Sequence, residues 1–330
     1  MLKMAFAGFR HGHIYDFYKM ALANEETQIV GAFEQDSATR ADVEKALGVN
    51  FTYSTYEELL SDNNVDCVVI GDYFAIRGSR AIAALKAGKH VFADKPLCTL
   101  RSELDEIEAL SKKNDLKVGC MLDLRYFPFV QYVRELLTSG KLGNVRTIYF
   151  GGQHPLMYGT RASWYFEEGK HGGVINDIAI HGIDLIHHIT GGLEPTRTLG
   201  ARTWNGYAEA EPHFKDCGHF MLEMTGGAGL LADVSYSSPN SIGYWVPHYW
   251  RFTICAAKGT VEFGVNLKEV RIALDGREGV EYIIPPPVDT GNCLSVFLKE
   301  IAGEKTDIDT EIVIKSSRNT LLIQEAADNG

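Results

Sequence analysis

Residues 86–96 read KAGKHVFADKP, and this stretch decides the class of fold. Gly88 stops a helical segment, and the apolar run His90–Ala93 that follows is typical of a short buried strand. A strand that follows a helix in this way belongs to a βαβ unit of a parallel sheet. Asp94-Lys95-Pro96 then lies at the carboxyl end of the strand, the edge of an open α/β sheet where ligands bind. A lysine there is suited to hold a substrate hydroxyl and to stabilise negative charge developing on its oxygen.

The same alternation of strand and helix runs through the first 120 residues. Val65–Ile70 is wholly apolar at its core, as expected for a strand that is covered on both faces. The other predicted strands are Leu2–Ala7, Gln28–Phe33, Phe51–Tyr53, His90–Ala93 and Lys117–Met121. We therefore predict an α/β fold with an N-terminal, doubly wound parallel Rossmann sheet of about six strands.

The pattern changes at about residue 125, where a helix over Phe129–Thr138 gives way to strands with tight turns. The strands predicted in this part are Val145–Phe150, Phe214–Thr225, Gly229–Tyr236, Tyr249–Ala256 and Thr260–Phe263. This pattern predicts a C-terminal α+β domain built on antiparallel strands. We place the boundary near residue 122, with a dinucleotide-binding domain over 1–122 and a second domain over 123–330.

Composition excludes several classes of protein. The chain has 330 residues, 45% apolar and 23% charged, as in a globular protein with a large core. A net charge of −11 argues against nucleic acid as a partner, because binding its backbone needs clustered positive charge. No apolar run reaches the roughly 18 residues that span a membrane, and the start MLKMAFAG lacks a leader pattern. The six cysteines include no C-x-x-C pair, so we expect a cytoplasmic protein with reduced thiols.

The turn after the first strand, Gly8-Phe9-Arg10-His11-Gly12-His13, is a degenerate dinucleotide-binding loop. Only the first glycine of G-x-G-x-x-G is present, since Arg10 and His13 stand at the second and third glycine positions. Arg10 is able to pair with a phosphate, although a surface ion pair is the plain alternative. Two histidines on one turn suggest a metal, but no carboxylate accompanies them in sequence. We predict a cofactor loop without a metal.

Glu34 ends the second predicted strand, about 26 residues after Gly8, where an acid accepts hydrogen bonds from the adenosine ribose. Such an acid disfavours a 2′-phosphate, so we predict NAD as the cofactor. Arg40 follows six residues later and leaves NADP open. The alternative for Glu34 is an ordinary loop carboxylate.

Asp177, His181, Asp184 and His188 are spaced so that they would share one face of a helix. A histidine between carboxylates suits a general base, because the negative charge orients it and tunes its pKa. A satisfied histidine on a helix face is the commoner alternative. The apolar neighbours predict a buried helix, in which polar side chains need partners. Substrate hydroxyls would supply them.

These motifs together resemble the glucose–fructose oxidoreductase / inositol dehydrogenase / MocA (Gfo/Idh/MocA) family over nearly the whole chain. The family's Glu-Lys-Pro is present as Asp94-Lys95-Pro96, and its G-G-x-x-x-D-x-x-x-H-x-x-D segment is matched by Gly172, Gly173, Asp177, His181 and Asp184. Further landmarks are Arg125-Tyr126, the turn over 139–143 and Ala257-Lys258-Gly259-Thr260. The chain departs from the family in the lost glycines, in the acid at 94, and at 72–77, where T-P-x-x-x-H reads DYFAIR.

The resemblance implies a Rossmann domain and a C-terminal substrate-binding and oligomerisation domain with a large, predominantly antiparallel open sheet. That sheet would make the contacts of a homodimer or homotetramer. Lys95 would orient the substrate, Asp177 would bind it and His181 would be the catalytic acid/base. The residues assigned to the cofactor are Gly8, Phe9, Arg10, His11, Gly12, His13, Glu34, Gly71, Asp94 and Lys95, and those assigned to the substrate are Lys95, Arg125, Tyr158, Arg161, Trp164, Asp177 and His181.

The activity so predicted is hydride transfer between nicotinamide and a hydroxyl-bearing carbon of a sugar, cyclitol or related polyol. Two alternatives stay open. Some members of the family use held NAD for transient oxidation and act as glycoside hydrolases. The degenerate loop would also suit a catalytically silent sugar- or nucleotide-binding regulatory protein.

Overall fold

A computed structural model describes residues 1–330, which form two compact units. The first unit comprises Met1–Met121, Ala162–Gly172 and Asn292–Arg318. The second comprises Leu122–Arg161, Gly173–Gly291 and Asn319–Gly330. The boundary after Met121 lies beside the predicted one, but two later segments of the chain belong to the first unit. The functional division at 122 stays a prediction.

The first unit is built on a five-stranded parallel sheet with the order β2-β1-β3-β4-β5. Its strands are β1 (Leu2–Ala7), β2 (Thr27–Phe33), β3 (Cys67–Ile70), β4 (His90–Ala93) and β5 (Val118–Cys120). The helices among them are α1 (His13–Ala23), α2 (Ser37–Leu47), α3 (Tyr56–Ser61), α4 (Phe74–Lys86) and α5 (Arg101–Asn114). Strand order reverses beside β1, so the loops after β1 and β3 meet at the switch point where such sheets bind ligands.

One predicted strand of this sheet is absent. Residues 51–53 form no strand, and their one backbone contact with β2 is the bond from the Tyr53 amide to the Ala32 carbonyl. One hydrogen bond does not make a β-ladder, so the sheet has five strands rather than the predicted six. The predicted doubly wound class is confirmed.

The second unit contains an eight-stranded sheet with the order β13-β12-β11-β10-β6-β9-β8-β7. Its strands are β6 (Val145–Pro155), β7 (Pro195–Trp204), β8 (Cys217–Met224), β9 (Gly229–Ser238), β10 (Tyr249–Ala256), β11 (Gly259–Gly264), β12 (Val270–Leu274) and β13 (Glu281–Ile283). Only β6 and β9 pair in parallel, which confirms a predominantly antiparallel sheet. Strands β7, β12 and β13 went unpredicted, because they carry few buried side chains and so lack a strong apolar pattern.

Four further helices complete the chain: α6 (Pro128–Thr138), α7 (Ile180–Thr190), α8 (Cys293–Ile301) and α9 (Thr310–Asn329). Helix α7 is continuous with a π-helical turn over Ile175–Ala179. Within the second unit, the Gly182 position on α7 lies against Phe150 of β6, which places this helix on the buried face of the sheet. No helix is both long enough and apolar enough to cross a membrane.

Candidate active site

The Asp94-Lys95-Pro96 turn follows β4, and hydrogen bonds from the Arg77 side chain hold it in place. Arg77 is wholly buried in the first turns of α4 and donates to the carbonyls of Lys95 (2.5 Å) and Asp72 (2.7 Å). Its second terminal nitrogen lies 3.2 Å from the Asp94 carboxylate. Arg77 occupies the position at which the family pattern has histidine. The arginine at this position has a structural role, because its hydrogen bonds fix the backbone at Lys95.

Lys95 itself is 4% exposed, and its ammonium lies 5.8 Å from the centre of the Phe74 ring. This is a cation–π contact, which favours a charged amine in a confined place. A buried lysine at the carboxyl edge of a parallel sheet agrees with the predicted location.

Backbone hydrogen bonds join the loop after β1 to the loop after β3, and glycines allow the two loops to approach closely. The amides of Arg10 and His11 both donate to the carbonyl of Gly71 (2.9 and 3.2 Å). Gly8 has φ of +84°, and a Cβ there would lie 2.8 Å from the backbone nitrogen of Asp72, so only glycine fits. Gly8 and Gly71 therefore shape the loop by allowing two segments of backbone to touch.

The next two residues of the loop meet the structural requirement for a bound pyrophosphate. The amides of Gly12 and His13, at the N-terminus of α1, donate to no protein acceptor. A Cβ at Gly12 would meet nothing within 4 Å, so there is room over this turn. Unpaired amides at the start of a helix are the groups that hold phosphate in dinucleotide folds. NAD fits this loop despite the lost glycines.

Arg10 forms an ion pair within the first unit. Its guanidinium lies 2.8 Å from the Asp36 carboxylate and 3.1 Å from the Thr39 hydroxyl, at the start of α2. Asp36 caps that helix by accepting from the Thr39 amide. The ion-pair alternative for Arg10 is thus the observed arrangement.

A hydrogen bond joins the backbone of Phe9 to the side chain of Glu34. The Phe9 amide donates to the Glu34 carboxylate at 2.7 Å, and the Asp36 amide donates to its other oxygen at 2.9 Å. Glu34 is 1% exposed, and burial raises the pKa of its carboxyl although both amides oppose this. The Phe9 ring packs in the core, 5.9 Å from the Phe6 ring. The ribose role of Glu34 stays a prediction, since part of its hydrogen-bonding capacity already holds the loop.

Asp94 brings the two loop histidines together. Its carboxylate lies 2.5 Å from His11 Nδ1 and 3.1 Å from His13 Nδ1. Burial by itself would raise the pKa of Asp94, but His11, Arg77 and His13 hold that pKa well below its ordinary value. Burial lowers the pKa of His11 to about 3, against the opposing pull of Asp94, so His11 is neutral at pH 7.

The sequence did not show this carboxylate, because it lies about eighty residues from the histidines. Ligand atoms of His11, His13 and Asp94 all lie within 4.8 Å of one another, a spacing that a metal ion could use. The ion pair of Asp94 with Arg77 opposes that use, because it offsets the negative charge a cation would need.

The segment 162–172 contributes aromatic side chains to the first unit. Trp164 Nε1 donates to the Arg10 carbonyl at 3.1 Å, and its ring lies 4.9 Å from the Phe74 ring. Trp164 is 3% exposed, so its ring is used in packing. Its predicted contact with substrate stays a prediction.

The second unit carries Asp177 and His181 on the π-turn and the first turn of α7. Both are buried, at 2% and 7% exposure. Asp177 accepts a hydrogen bond from the Tyr236 hydroxyl, and the His181 ring lies 5.5 Å from the Trp250 ring. The Arg161 guanidinium lies 5.0 Å from the centre of the Tyr236 ring, a cation–π contact. Tyr236 was not among the predicted site residues, since its strand pattern gives no sign of a polar contact.

Other residues of the motif have structural partners. Arg125 donates to both oxygens of Asp184 at 2.5 Å and to His188 Nδ1 at 2.8 Å. Burial and the two guanidinium groups of Arg125 and Arg134 lower the pKa of His188 to about 2. The π-turn interrupts the regular helical spacing on which the shared face was predicted. Arg125 therefore binds the α7 helix, and its predicted contact with substrate stays a prediction.

Tyr158 and Arg161 lie in the loop after β6. Tyr158 is 47% exposed, and its hydroxyl donates to Glu211 at 3.1 Å. Arg161 donates to the carbonyls of Leu156 (2.8 Å) and Pro155 (2.6 Å). Their substrate roles also stay predictions.

Comparison with known proteins agrees with both parts of the fold. Residues 2–121 match the family model described as the oxidoreductase family, NAD-binding Rossmann fold. Residues 130–262 match the GFO/IDH/MocA C-terminal domain. The first unit therefore contains an NAD-binding Rossmann fold.

Individual relatives are more distant. An uncharacterized oxidoreductase of Synechocystis is 30% identical over 192 residues, which are 56% of this chain and 50% of that protein. The trans-1,2-dihydrobenzene-1,2-diol dehydrogenase of Bos taurus is 27% identical over 53% of this chain and 52% of that protein. The chain thus spans about half the length of these curated relatives.

Among solved structures, an inositol dehydrogenase homolog from Azotobacter vinelandii, crystallised with NADH and myo-inositol, shares the fold with a TM-score of 0.81. It is 16% identical, and the match covers 100% of this chain and 96% of that one. The two family models, the fold and the motif residues agree, and the chain belongs to the Gfo/Idh/MocA family of oxidoreductases.

Proposed function

We propose that the protein is a dehydrogenase that transfers a hydride reversibly between NAD and a hydroxyl-bearing carbon of a sugar, cyclitol or related polyol. The observation that carries this proposal is the π-turn over Ile175–Ala179, which places the buried Asp177 one turn before His181. π-Turns are rare, and they recur at functional sites because they re-aim side chains at the cost of regular hydrogen bonds. Buried polar side chains need hydrogen-bonding partners, and the hydroxyls of a bound substrate would supply further ones.

Each residue has a defined role in the proposal. His181 takes the proton of the substrate hydroxyl, Lys95 stabilises the charge that develops on that oxygen, and Asp177 binds a neighbouring hydroxyl. Tyr236 holds the Asp177 carboxylate through its hydroxyl and so orients it. NAD, when bound, supplies the carbon that accepts the hydride. The amides of Gly12 and His13 would hold its pyrophosphate.

A cofactor-reduction screen with sugars, inositols and sugar acids, using NAD and NADP separately, tests the proposal. With the substrate so found, His181→Asn should lower turnover by about 10²- to 10⁴-fold, because general-base help is of that size. His213→Asn is the matched control, since this exposed histidine lies in a loop of the second unit, 4.0 Å from Glu211. Wild-type turnover by His181→Asn would refute the assignment of the base.

The same screen separates the alternatives. Release of a chromogenic aglycone without net NADH would indicate the glycoside hydrolase. Absence of NAD(H) and NADP(H) binding at millimolar concentration would indicate the regulatory protein, which the unpaired amides of the loop argue against.

We also propose that the protein assembles as a homodimer or homotetramer through the second unit's sheet. Tyr149, Met221 and Leu231 are more than 40% exposed and lie on three adjacent strands, on the face that turns away from the core. A contiguous apolar patch of this kind marks an interface. Sedimentation of Leu231→Glu should show a smaller species than the wild type, and an unchanged mass would contradict the interface.

A further inference from the structure

One residue of strand β10 has a backbone conformation that its own side chain disfavours. Trp250 has φ of +47°, in the left-handed region that bulky residues rarely adopt. Such a conformation persists only where the surrounding structure fixes it, and it recurs at functional sites. Trp250 is also 2% exposed, so its indole ring is almost wholly buried. The contacts of that ring give the reason for the conformation.

The conformation belongs to a β-bulge between β10 and β6. The residues on either side of Trp250 pair with two consecutive residues of β6, so Trp250 is an extra residue with no partner on that strand. Successive side chains of a regular strand point to opposite faces. Here the rings of Tyr249 and Trp250 lie 5.2 and 5.5 Å from one and the same ring, that of His154. The bulge thus brings two consecutive aromatic side chains together, as bulges beside functional sites do.

Glycines on both neighbouring strands make room for the bulge. On β6, a Cβ at Gly152 would lie 3.0 Å from Cζ3 of Trp250 and 2.9 Å from Cγ2 of Ile178, closer than side chains normally pack. On β11, a Cβ at Gly264 would lie 2.7 Å from the carbonyl oxygen of Trp250, which accepts a hydrogen bond from the Val265 amide at 3.2 Å. Neighbours on both sides therefore fix the backbone and the ring of Trp250.

The indole ring fixed in this way lies beside the proposed base. Its centre is 5.5 Å from that of the His181 imidazole, and the two planes meet at 74°, an edge-to-face contact. Ile178, which borders the same space at Gly152, belongs to the π-turn that carries Asp177. The ring of Trp250 therefore packs against the imidazole and close to the turn that presents the neighbouring carboxylate.

We propose that Trp250 is a positioning residue, which holds the His181 imidazole in the orientation that takes the proton of the substrate hydroxyl. Proton transfer needs an imidazole nitrogen within hydrogen-bond reach of that hydroxyl. An aromatic ring fixed by the strands on both sides restricts the rotation of the imidazole and so keeps the nitrogen in place. The inference rests on the proposed role of His181 as the base, and it requires no contact between Trp250 and substrate.

Steady-state kinetics of the full chain, on the substrate found in the screen, provides the first test. Trp250→Leu should lower kcat and kcat/KM together by about 10- to 100-fold with little change in KM, because the orientation of the base matters in the transition state and not in substrate binding. Trp250→Phe retains a ring and should recover much of this loss. Phe252→Leu is the matched control, since this buried ring lies two positions further along β10 and stacks on Phe150 and Phe263. Its kcat should stay close to the wild-type value.

A second measurement needs no substrate. In the full chain labelled with ¹³C,¹⁵N-histidine, the imidazole signal of His181 is identified by its loss in His181→Asn. Trp250→Leu should move this signal and broaden or split it, because the indole ring current is lost and the imidazole samples more than one orientation. Phe252→Leu should leave the signal in place. An unchanged His181 signal in Trp250→Leu would overturn the inference even if the screen finds no substrate.

Gly152→Ala is the alternative variant, in case Trp250→Leu fails to fold in thermal melting. Its Cβ would displace the indole ring without removing it, so kcat should fall, whereas Gly200→Ala, at a strand glycine with open space around it, should leave kcat unchanged. Wild-type kcat in whichever variant folds, beside an inactive His181→Asn, would overturn this inference and leave the proposed base intact. An equal loss in Phe252→Leu would also overturn it, because the effect would then be one of packing. Wild-type turnover by His181→Asn would refute the base, and this inference with it.

Discussion

The substitution Arg77→Met isolates what holds the Asp94-Lys95-Pro96 turn in place. Methionine retains much of the length of the arginine stem, so packing changes little and the guanidinium is what is lost. Four acceptors then each lose one donor: the carbonyls of Asp72, Lys95 and Pro96, and the Asp94 carboxylate, which keeps its contacts with the two loop histidines. Both partners of the ion pair are wholly buried, so water cannot replace the lost contacts.

The expected cost is about 3–5 kcal/mol of folding free energy at pH 7, as for breaking a buried ion pair by removing one partner. Lys86→Met, which removes an exposed pair with Glu106 in the same unit, should change the free energy of unfolding by no more than about 0.5 kcal/mol.

The penalty should depend on pH in a defined direction. The pKa of Asp94 is depressed in the folded protein, so its ion pairs add stability above the unfolded carboxyl pKa of about 3.9. That stability is lost as pH falls through the lower folded pKa. Without Arg77, Asp94 takes up a proton at higher pH, so the gap between Arg77→Met and wild type should narrow toward pH 4.

Urea unfolding of the full chain at pH 7 and pH 4 measures the change in the free energy of unfolding. Hydrogen exchange of the amides in α4 and β4 is the second measurement. Asp94→Asn and the double variant complete a double-mutant cycle, in which we expect a coupling energy of at least about 1.5 kcal/mol. A loss below about 1 kcal/mol for Arg77→Met, or no coupling to Asp94, would refute the reasoning.

Three further predictions concern other positions. Gly8→Ala should destabilise the protein by more than about 2 kcal/mol, because its Cβ would press on the backbone of Asp72, whereas Gly12→Ala should cost less than about 1 kcal/mol; thermal melting compares them. Arg125→Met should cost about 3–5 kcal/mol by removing one partner of the buried ion pair with Asp184, and equal urea midpoints for variant and wild type would contradict this. Tyr236→Phe should lower kcat/KM at least about 10-fold on the substrate found in the screen, with a stability loss of about 1–3 kcal/mol; unchanged kinetics would separate Tyr236 from the site.

Much of the fold follows from local patterns. Apolar runs such as Val65–Ile70 and the helices between them are read within a window of a few residues, so the parallel sheet was predictable. The motif glycines, Asp177 and His181 were likewise identified from spacing and resemblance. The predicted strand over 51–53 failed for the converse reason, since three residues give too little pattern to show whether a neighbouring strand accepts them.

The sequence by itself determined which residue types were available: a lysine after a strand, a histidine near carboxylates, a loop short of glycines. Tertiary structure decided their partners. Asp94 lies more than eighty positions from His13 and 17 from Arg77, yet one carboxylate binds both. Asp177 likewise finds Tyr236 on β9, 59 positions away. Local periodicity carries no information on such pairs, because they form only when the packing of sheet and helices closes the chain on itself. The histidine–carboxylate cluster of the loop and the hydrogen bonds that hold the backbone of Lys95 are therefore properties of the folded molecule, although the sequence supplies every residue involved.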